Sequence, residues 1–574
     1  DTSPDHGVAV EPFLTERVEV LRGPSTLLYG SSAIGGAVNV IGKEIPRQPV
    51  DEKGYEGGVE ARYDTVSEGE TYLGYATVGQ EKWAVTVTGL DREADDYEIP
   101  DDAREPHEEG DDDDDEHEEH GGSTLENSFF ESSQYSIGGS WFFTPENRLS
   151  FSYARYESEY GLPSHEHAHE EDDDDDDDEH GEESVSIDLE RDRYDMELEL
   201  VDPIDWITAL RLRAAYTDYE HTEFEGDETG TVFERDGWEF RTEAAHVPWW
   251  IIDEGVIGIQ ASDTDFSAVG EEAFTPPSDT KTQAIFVTQH IHGDKLHYEF
   301  GGRIERADIS ADGSSSDYDE VAFSIAGSVL WQIDDTNSLS LVLQRAERHP
   351  TSTELYADGP HLATSQYEIG DDSLDQEVAY GIDLVYRTQL MGWTTEAAVF
   401  YTYFDDYIFA ENQGFETDEL DTYQFVAVEA EFYGFEVGTQ SEILRTADMV
   451  VTLGFMADYV RAKNEDSGDD LPRIPPMRVG SRLGVQRGNW DTGVELRYAF
   501  KQDDTAPEET ETDGYTELNA DVSYRFDFEN DLGLVVFARA ENLLDEEIRN
   551  HTSFTKDDAA LPGRNLTIGG RFEF

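Results

Sequence analysis

Alternation of apolar and polar side chains is the feature that most restricts what this chain can form. It recurs in short runs along most of the chain, as in the stripe of Phe323, Ile325, Val329 and Trp331. Successive side chains of a β-strand point to opposite faces, so a period of two indicates a strand with two different faces. The pattern therefore predicts an all-β chain.

The connections between these runs alternate between short and long. The short ones are turn-like and cover 79–82, 144–147, 202–205, 293–295, 334–337 and 529–531. The long ones cover 95–131, 160–186, 222–236, 267–281, 348–376, 409–422, 462–476, 503–512 and 546–562. Turns at one end and long loops at the other are typical of the antiparallel sheet of an outer-membrane barrel. We expect a transmembrane β-barrel of about 22 strands, whose lumen is too wide for side chains to fill and needs a plug.

The composition agrees with a barrel. Hydrophobic residues make up 37% of the chain, and no apolar run is long enough for a transmembrane helix. The aromatic content of 11% argues against disorder, which low hydrophobicity and high charge would otherwise indicate. A soluble β-sandwich or propeller is the alternative, but no repeated motif supports a propeller. The alternating strand that ends on Phe574 favours the outer membrane, with lipid around the barrel.

The net charge of −93 and the absence of cysteine exclude several classes of function. A surface this acidic is repelled by phosphate backbones, so we expect no nucleic-acid partner. Without cysteine there is no thiolate catalysis, iron–sulfur cluster or Cys-type zinc site. No Ser/His/Asp arrangement and no His-Glu-x-x-His motif is recognisable, so we expect neither an enzyme nor a prosthetic group.

Two dense acidic tracts also carry histidines. Residues 101–120 and 165–183 hold 13 acids each, and these tracts contain seven of the 16 histidines. The seven are His107, His117, His120, His165, His167, His169 and His180. Imidazole suits Zn²⁺, Cu²⁺ and Ni²⁺, whereas carboxylate suits Ca²⁺ and Mg²⁺. We interpret the tracts, within loops 95–131 and 160–186, as extracellular loops that capture metal ions. The alternative is solvated acidic low-complexity sequence.

Acidic residues are also in excess outside the two tracts, and the whole chain has only eight lysines. Metal capture does not explain this diffuse acidity. Dissolved salt shortens the range of charge repulsion to about 3 Å at 1 M. Our hypothesis is that the surface is adapted to high salt.

The N-terminal segment carries a motif that the alternating pattern does not. Residues 18–30 read VEVLRGPSTLLYG and run into SSAIGGAVNV at 31–40; near the C-terminus stand AENLLD at 540–545 and Gly563-Arg564. These segments resemble TonB-dependent outer-membrane receptors. The resemblance implies a 22-stranded barrel, residues 51–574, with the C-terminal part of a plug, residues 1–50, in its lumen.

The same resemblance implies a partner and structural roles. The partner is the inner-membrane TonB complex. We expect the given chain to start within the plug, so that it lacks the segment that contacts TonB. Glu19 and Arg22, in the motif, are expected to hold the plug to the barrel.

Further segments are similar to zinc-uptake receptors of the ZnuD type. They are SPDH at 3–6, YGLP at 160–163, ELYADGPHLAT at 354–364 and HTSF at 551–554. The resemblance implies that Zn²⁺ is the transported ligand. It also implies that the zinc ligands are Asp5, His6, Glu220, His221 and His361. Glu354, Asp358 and His551 are candidates for ligands farther from the ion. We expect the ligands to meet between the plug apex and the external loops.

A haem or metal-chelate receptor of the siderophore type is the alternative. Haem receptors of this family place an axial histidine in the loop that holds His361 here. Their flanking motifs are only partly matched by Arg348-His349-Pro350 and by residues 372–375. Haem propionates would also be repelled by the acidic loops, which makes the haem interpretation the weaker one.

Overall fold

The computed structural model describes residues 10–50, 52–100, 103, 124–163, 184–226, 228–270, 273–361, 364, 366–417 and 420–574. These residues form a short N-terminal segment with a two-stranded sheet and one closed β-barrel. Among them, no helix is both long and apolar enough to cross a membrane.

The N-terminal segment is built from two short strands and tight helical turns. Strand β1 (Thr15–Leu21) pairs with β2 (Ala37–Gly42) in antiparallel register. Between them lies the 3-10 helix Gly23–Leu28, with Pro24 in its first turn. Gly23 has φ +67°, and a Cβ there would lie 3.0 Å from Val342 of the barrel. The chain therefore turns sharply where it meets the barrel wall.

Twenty-two strands close the barrel. The first thirteen are β3 (Tyr55–Tyr63), β4 (Glu70–Gln80), β5 (Trp83–Ala94), β6 (Phe130–Phe142), β7 (Arg148–Leu162), β8 (Val185–Ile204), β9 (Ile207–Glu225), β10 (Glu228–His246), β11 (Glu254–Gly270), β12 (Ser278–His292), β13 (Leu296–Ala311), β14 (Tyr318–Asp334) and β15 (Asn337–Arg348). The other nine are β18 (Glu377–Leu390), β19 (Trp393–Thr417), β20 (Leu420–Arg445), β21 (Met449–Asn464), β22 (Arg478–Arg487), β23 (Trp490–Ala499), β24 (Tyr515–Asp527), β25 (Gly533–Glu541) and β26 (Asn565–Glu573). Each strand pairs antiparallel with the next, and β26 pairs with β3, which confirms the predicted barrel.

The loop after β15 has a small structure of its own. It contains the helix α1 (Ser352–Tyr356) and the strands β16 (Asp358–His361) and β17 (Gln366–Ile369). β16 and β17 form a hairpin, and β17 lies parallel to the outer part of β20. Because β15 pairs directly with β18, this loop is an addition to the wall rather than part of its circuit.

The two faces of each strand differ as the alternation predicts. On β14, Phe323 and Ile325 are about half exposed on the outer face, where lipid would contact them. On β12, Phe286 is fully buried on the inner face, against the guanidinium groups of Arg241 and Arg303. The apolar stripe thus faces outward, and the lumen wall is polar and charged.

Two predicted loops are wrong. Segments 222–236 and 409–422 are largely strand: β9 continues to Glu225, and β19 pairs with β20 as far as Thr417. They were predicted as connections between the alternating runs, but the hydrogen-bond ladder continues through them. Crossing a bilayer takes about 9–11 residues per strand. Strands of 19–26 residues therefore extend the wall well beyond the membrane.

Candidate metal site

The segment 10–50 is attached to the barrel wall by charged side chains. Arg22 donates two hydrogen bonds to the carboxylate of Glu436 on β20, at 2.8 and 3.0 Å. Glu19, which we expected at the wall, instead pairs with Arg17 at 2.8 Å and accepts a hydrogen bond from Asn39. Arg22 therefore contacts the barrel, whereas both of these partners of Glu19 lie within the segment's own sheet: Arg17 on the same strand and Asn39 on the paired one.

A second attachment involves a buried carboxylate that sequence reasoning missed. Glu11 pairs with Arg62 on β3 and with Arg92 on β5, at 2.7 and 2.8 Å. Its side chain is 5% exposed, so its charge depends on these two guanidinium groups for compensation. The three charges fix the start of the segment against the wall.

A third attachment lies at the 3-10 helix Gly23–Leu28. Arg303 on β13 forms an ion pair with Glu305 and donates a hydrogen bond to the backbone oxygen of Leu27. It also donates to Oε1 of Gln260 at 3.0 Å. Arg303 is 3% exposed, so this is a buried charge that holds the helix against the lumen wall.

The loop that carries His361 is positioned by a capped helix and two ion pairs. Thr351 caps α1, accepting a hydrogen bond from the N–H of Glu354, whose carboxylate accepts one from the N–H of Thr351. Arg348, at the end of β15, pairs with both Glu354 and Glu377. Glu354, an outer ligand candidate in the sequence, thus has a structural role here. β16, which carries His361, begins two residues after the end of this helix.

His361 is buried and held by a carboxylate. Its Nδ1 lies 2.9 Å from Oε1 of Glu368, which stands across the β16–β17 hairpin. The imidazole stacks on Phe274, with ring centroids 4.3 Å apart and an interplanar angle of 15°. A carboxylate only accepts hydrogen bonds, so Nδ1 carries the proton and Nε2 is the basic nitrogen. Metal-binding histidines in proteins have this arrangement.

His221 on β9 has a comparable environment. It stacks on Phe233 with centroids 4.4 Å apart, and its Nε2 lies 3.7 Å from Oε1 of Glu223. Both His221 and Glu223 are buried on the inner face, whereas Glu220 is exposed on the outer face. Adjacent residues of a strand point to opposite faces, so Glu220 and His221 do not lie side by side, and their joint ligand role stays a prediction. Glu223 is the carboxylate beside His221.

A common aromatic cluster connects the two histidines. Phe233 and Phe274 have ring centroids 6.3 Å apart, so the ring contacts run from His221 through Phe233 and Phe274 to His361. Two phenylalanine rings thus separate the imidazoles along this series. Within the part of the chain that the structure describes, no three His, Asp or Glu side chains are grouped to hold a metal ion.

The remaining predicted ligands fall into two groups. Asp5, His6 and the seven histidines of the acidic tracts lie outside the described residues, so their contribution stays a prediction. Asp358 accepts a hydrogen bond from the Tyr367 hydroxyl at 3.3 Å. His551 is buried between Thr512, at 3.0 Å, and Glu509, at 3.3 Å.

The pKa of Glu509 reflects this burial and its neighbours. Burial raises it, but hydrogen bonds from His551 and from the backbone N–H groups of Ala506 and Arg473 hold the pKa below its ordinary value. Glu509 therefore stays ionised and fixes His551 within the outer loops. In the structure, His551 and Asp358 serve to hold these loops together.

His349 gives the His361 loop a dependence on pH. Its Nδ1 is hydrogen-bonded to the Tyr318 hydroxyl at 2.9 Å, and burial lowers its pKa although the nearby Glu305 opposes the change. The folded loop therefore favours neutral His349. This stabilisation is complete above the unfolded pKa of about 6.5 and is lost as the pH falls below it.

We expect hydrogen exchange in residues 349–361 to accelerate several-fold on acidification from about pH 7 to pH 5. In the His349→Gln variant, which has no titrating ring, that segment should exchange at a rate nearly independent of pH, after correction for intrinsic exchange. Exchange mass spectrometry of both proteins measures the difference. An equal pH response in the variant would contradict this role of His349.

Comparison with known proteins identifies the fold family. The sequence matches the family described as TonB dependent receptor-like, beta-barrel, over residues 122–543, and the TonB-dependent receptor plug domain over residues 2–37. The chain belongs to the TonB-dependent receptor family. This family consists of outer-membrane receptors and transporters rather than enzymes, which agrees with the predicted localisation and class.

Solved structures share the receptor's fold at low sequence identity. The copper transporter OprC is 16% identical with a TM-score of 0.79, covering 98% of this chain and 86% of that one. The FrpB iron transporter from Neisseria meningitidis is 14% identical with a TM-score of 0.74, covering 98% and 88%. At these identities the similarity establishes the fold alone.

One curated relative matches a short segment of the receptor. The ferrichrome outer membrane transporter/phage receptor of Escherichia coli (strain K12) is 34% identical over 56 residues. This segment is 10% of the receptor and 8% of that protein. The match therefore covers only a small part of either chain.

Sequence reasoning missed the partners of both histidines in the receptor. Glu223 was detectable, because it stands two residues after His221 on the same face of a strand. Glu368 and Phe274 had no such signal. Glu368 meets His361 only through the β16–β17 hairpin, and Phe274 approaches from a different loop.

Proposed function

We propose that the receptor takes up a divalent metal ion and that the ion is zinc. The observation that carries the proposal is His361, a buried imidazole held at Nδ1 by Glu368 in an external loop. Zinc is the cargo here, not a resident cofactor. TonB-driven rearrangement of the plug would release it to the periplasm, as expected for this family.

The chemistry of the surroundings supports a transition metal over calcium or magnesium. Imidazole nitrogen suits Zn²⁺, Cu²⁺ and Ni²⁺, whereas Ca²⁺ and Mg²⁺ prefer oxygen ligands alone. His361 with Glu368 and His221 with Glu223 are two imidazole–carboxylate pairs on one aromatic cluster. The structural neighbours described as copper and iron transporters agree with a metal cargo.

The site would be completed from the plug. Asp5 and His6 are the proposed plug ligands, and His361 is the proposed loop ligand. With ligands from both parts, the ion would bridge the plug and the barrel wall. Binding of the ion would therefore affect the position of the plug. A tetrahedral zinc site needs four ligands, which one loop histidine and its neighbours do not provide alone.

The acidic tracts would raise the local concentration of metal ions above this site. Deleting residues 165–183 should therefore reduce zinc uptake when zinc is scarce and leave uptake unchanged when zinc is abundant. Radioactive zinc uptake by cells with the full-length or the shortened receptor measures this. A matched control replaces the histidines of the tract by asparagine and keeps its acids. Equal uptake at low zinc in all three strains would exclude capture.

The direct test of the cargo is metal competition on the purified receptor. We expect zinc to displace bound nickel and bound calcium. We also expect that added haem gives no Soret band characteristic of histidine-ligated iron. Binding is followed by metal analysis after equilibrium dialysis. Preferential retention of copper would reassign the cargo, and a Soret band that disappears in His361→Ala would favour a haem receptor.

A metal chelate is the second candidate, favoured by one cavity. The cavity measures about 290 Å³ and lies among the outer parts of β19–β21 and the following loops. Arg473 stacks there on Phe554, 4.0 Å from the ring centroid, beside Tyr423 and Lys556. The Arg473–Phe554 pair offers a flat surface on which an aromatic metal-chelating group would stack. The seven carboxylates of the lining, among them Glu411 and Asp421, favour a chelate without net negative charge. Uptake of iron only as a chelate would support this candidate.

A further inference from the structure

Three histidines lie together at the end of the barrel opposite the proposed capture loops. His290 and His292 end strand β12, and His297 follows the short turn at 293–295 near the start of β13. In the register of the two strands, His292 stands directly opposite His297. Short turns are the periplasmic end of such barrels, so this group lies where cargo leaves the lumen.

The group faces the lumen rather than the lipid. His290 and His292 share the face of β12 that carries Phe286, which packs under Arg303 and Arg241. His297 shares the face of β13 that carries Arg303, because odd-numbered residues of this strand point inward. These side chains therefore line the polar interior of the wall.

Glu254 selects the tautomer of the His292 ring. Its Oε1 lies 3.1 Å from Nε2 of His292. A carboxylate accepts but does not donate, so Nε2 carries the proton and Nδ1 of the neutral ring holds a lone pair. A carboxylate on the distal nitrogen is the usual second partner of a metal-binding histidine.

The two Nδ1 atoms have the separation that a tetrahedral zinc ion requires. Nδ1 of His292 lies 3.4 Å from Nδ1 of His297. Two nitrogens at about 2.0–2.1 Å from one zinc ion stand about 3.3–3.4 Å apart in tetrahedral geometry. The contact is a long hydrogen bond, in which Nδ1–H of His297 donates to the lone pair of His292. A zinc ion that replaced this proton would be bound by both nitrogens with little change in their separation.

We propose that His292 and His297 form a second transition-metal site, on the periplasmic side of the lumen wall, with Glu254 orienting His292. Two protein ligands leave the remaining positions to water, which makes the site open and readily exchangeable. The role of this site in the transit of released zinc rests on the proposed function. Its ability to bind a metal ion does not depend on that proposal.

Residue-resolved chemical modification tests the site in the full-length receptor. Diethyl pyrocarbonate modifies accessible imidazoles, and peptide mass spectrometry gives the rate at each histidine separately. We expect Zn²⁺ to slow modification of His292 and His297 together, several-fold, and Mg²⁺ to have no effect. Because each histidine is read separately, zinc bound at the acidic tracts does not obscure the result.

Variants distinguish a shared ion from separate effects. His297→Ala should remove the zinc protection of His292, because the shared ion loses one of its two protein ligands. Glu254→Gln should raise the zinc concentration for half-protection by about 10–100-fold, the usual effect of losing a carboxylate that supports a metal-binding histidine. His246, on the outer face at the same end, is the internal control. Its ring nitrogens are bonded to Val247 O and Gln289 Oε1.

The outcomes separate this site from the proposed function. Protection that survives in His361→Ala shows that the periplasmic site binds zinc independently of the external one, even if zinc proves not to be the cargo. If saturating zinc leaves the modification rates of His292 and His297 unchanged, the site is excluded. Unaltered protection of His292 in His297→Ala also overturns it.

Discussion

Replacing His361 by alanine should abolish tight zinc binding at the external side of the receptor. The imidazole is buried, stacked on an aromatic ring and held by a carboxylate at 2.9 Å, a closer contact than the 3.7 Å between His221 and Glu223. Removing it deletes the nitrogen ligand and leaves the Glu368 carboxylate buried without its partner. We expect the zinc affinity to fall by more than about 100-fold, above the usual effect of changing an orienting group.

Glu368→Gln tests the mechanism more finely. Glutamine has nearly the same shape but no charge, so it orients His361 without making Nε2 more basic. We expect a loss of about 10–100-fold in zinc affinity. His349→Gln is the matched control, since His349 is also a buried loop histidine but bonds to the Tyr318 hydroxyl. Isothermal titration with a competing chelator measures all three variants. An affinity within about twofold of wild type in His361→Ala would remove His361 from the site.

Replacing Arg303 by methionine should loosen the plug segment around residues 23–28. Arg303 is 3% exposed and compensates the buried carboxylate of Glu305 while it holds Leu27. Removing one partner of a buried ion pair typically costs about 3–5 kcal/mol, because the other charge remains uncompensated. We expect hydrogen exchange in residues 23–28 to accelerate at least tenfold, while exchange in the barrel strands changes little.

The same strand offers a control for this substitution. Arg306 pairs with Asp319 at 2.6 Å, but both side chains are at least half exposed. Exposed pairs contribute about 0–1 kcal/mol, so Arg306→Met should leave the plug segment unchanged. Equal exchange of residues 23–28 in both variants would show that Arg303 does not hold the segment. Heat-modifiability on gels confirms that both barrels are folded.

The barrel was predictable because its signal is local. Alternation along each strand and the contrast between short turns and long loops depend only on neighbouring residues. Both features are observed in the structure. The same rule separates two of the predicted ligands, since Glu220 and His221 are adjacent and must face opposite ways. Loop predictions failed where strands continue beyond the recognisable alternating runs, as at 222–236.

The candidate site was predictable only in part, for a physical reason. His361 was found through a resemblance, but its environment depends on contacts between distant segments. Glu368 reaches it across a hairpin, and Phe274 and Phe233 come from other loops and strands. Such contacts leave no periodic trace in the sequence. The histidines at the periplasmic end stand within eight residues, on either side of the predicted turn at 293–295, so their proximity was detectable although they match no metal-binding motif.

Closure of the barrel constrains the order in which the protein can be made. The sheet has no edge only when Asn565–Glu573, at the end of the chain, pairs with Tyr55–Tyr63 near its start. Until the last strand is synthesised, two strand edges stay open and prone to pairing with other chains. The barrel therefore cannot close before β26 has been synthesised, and the earlier strands must be kept from pairing with other chains until then. A late truncation should cause aggregation rather than a slightly smaller barrel.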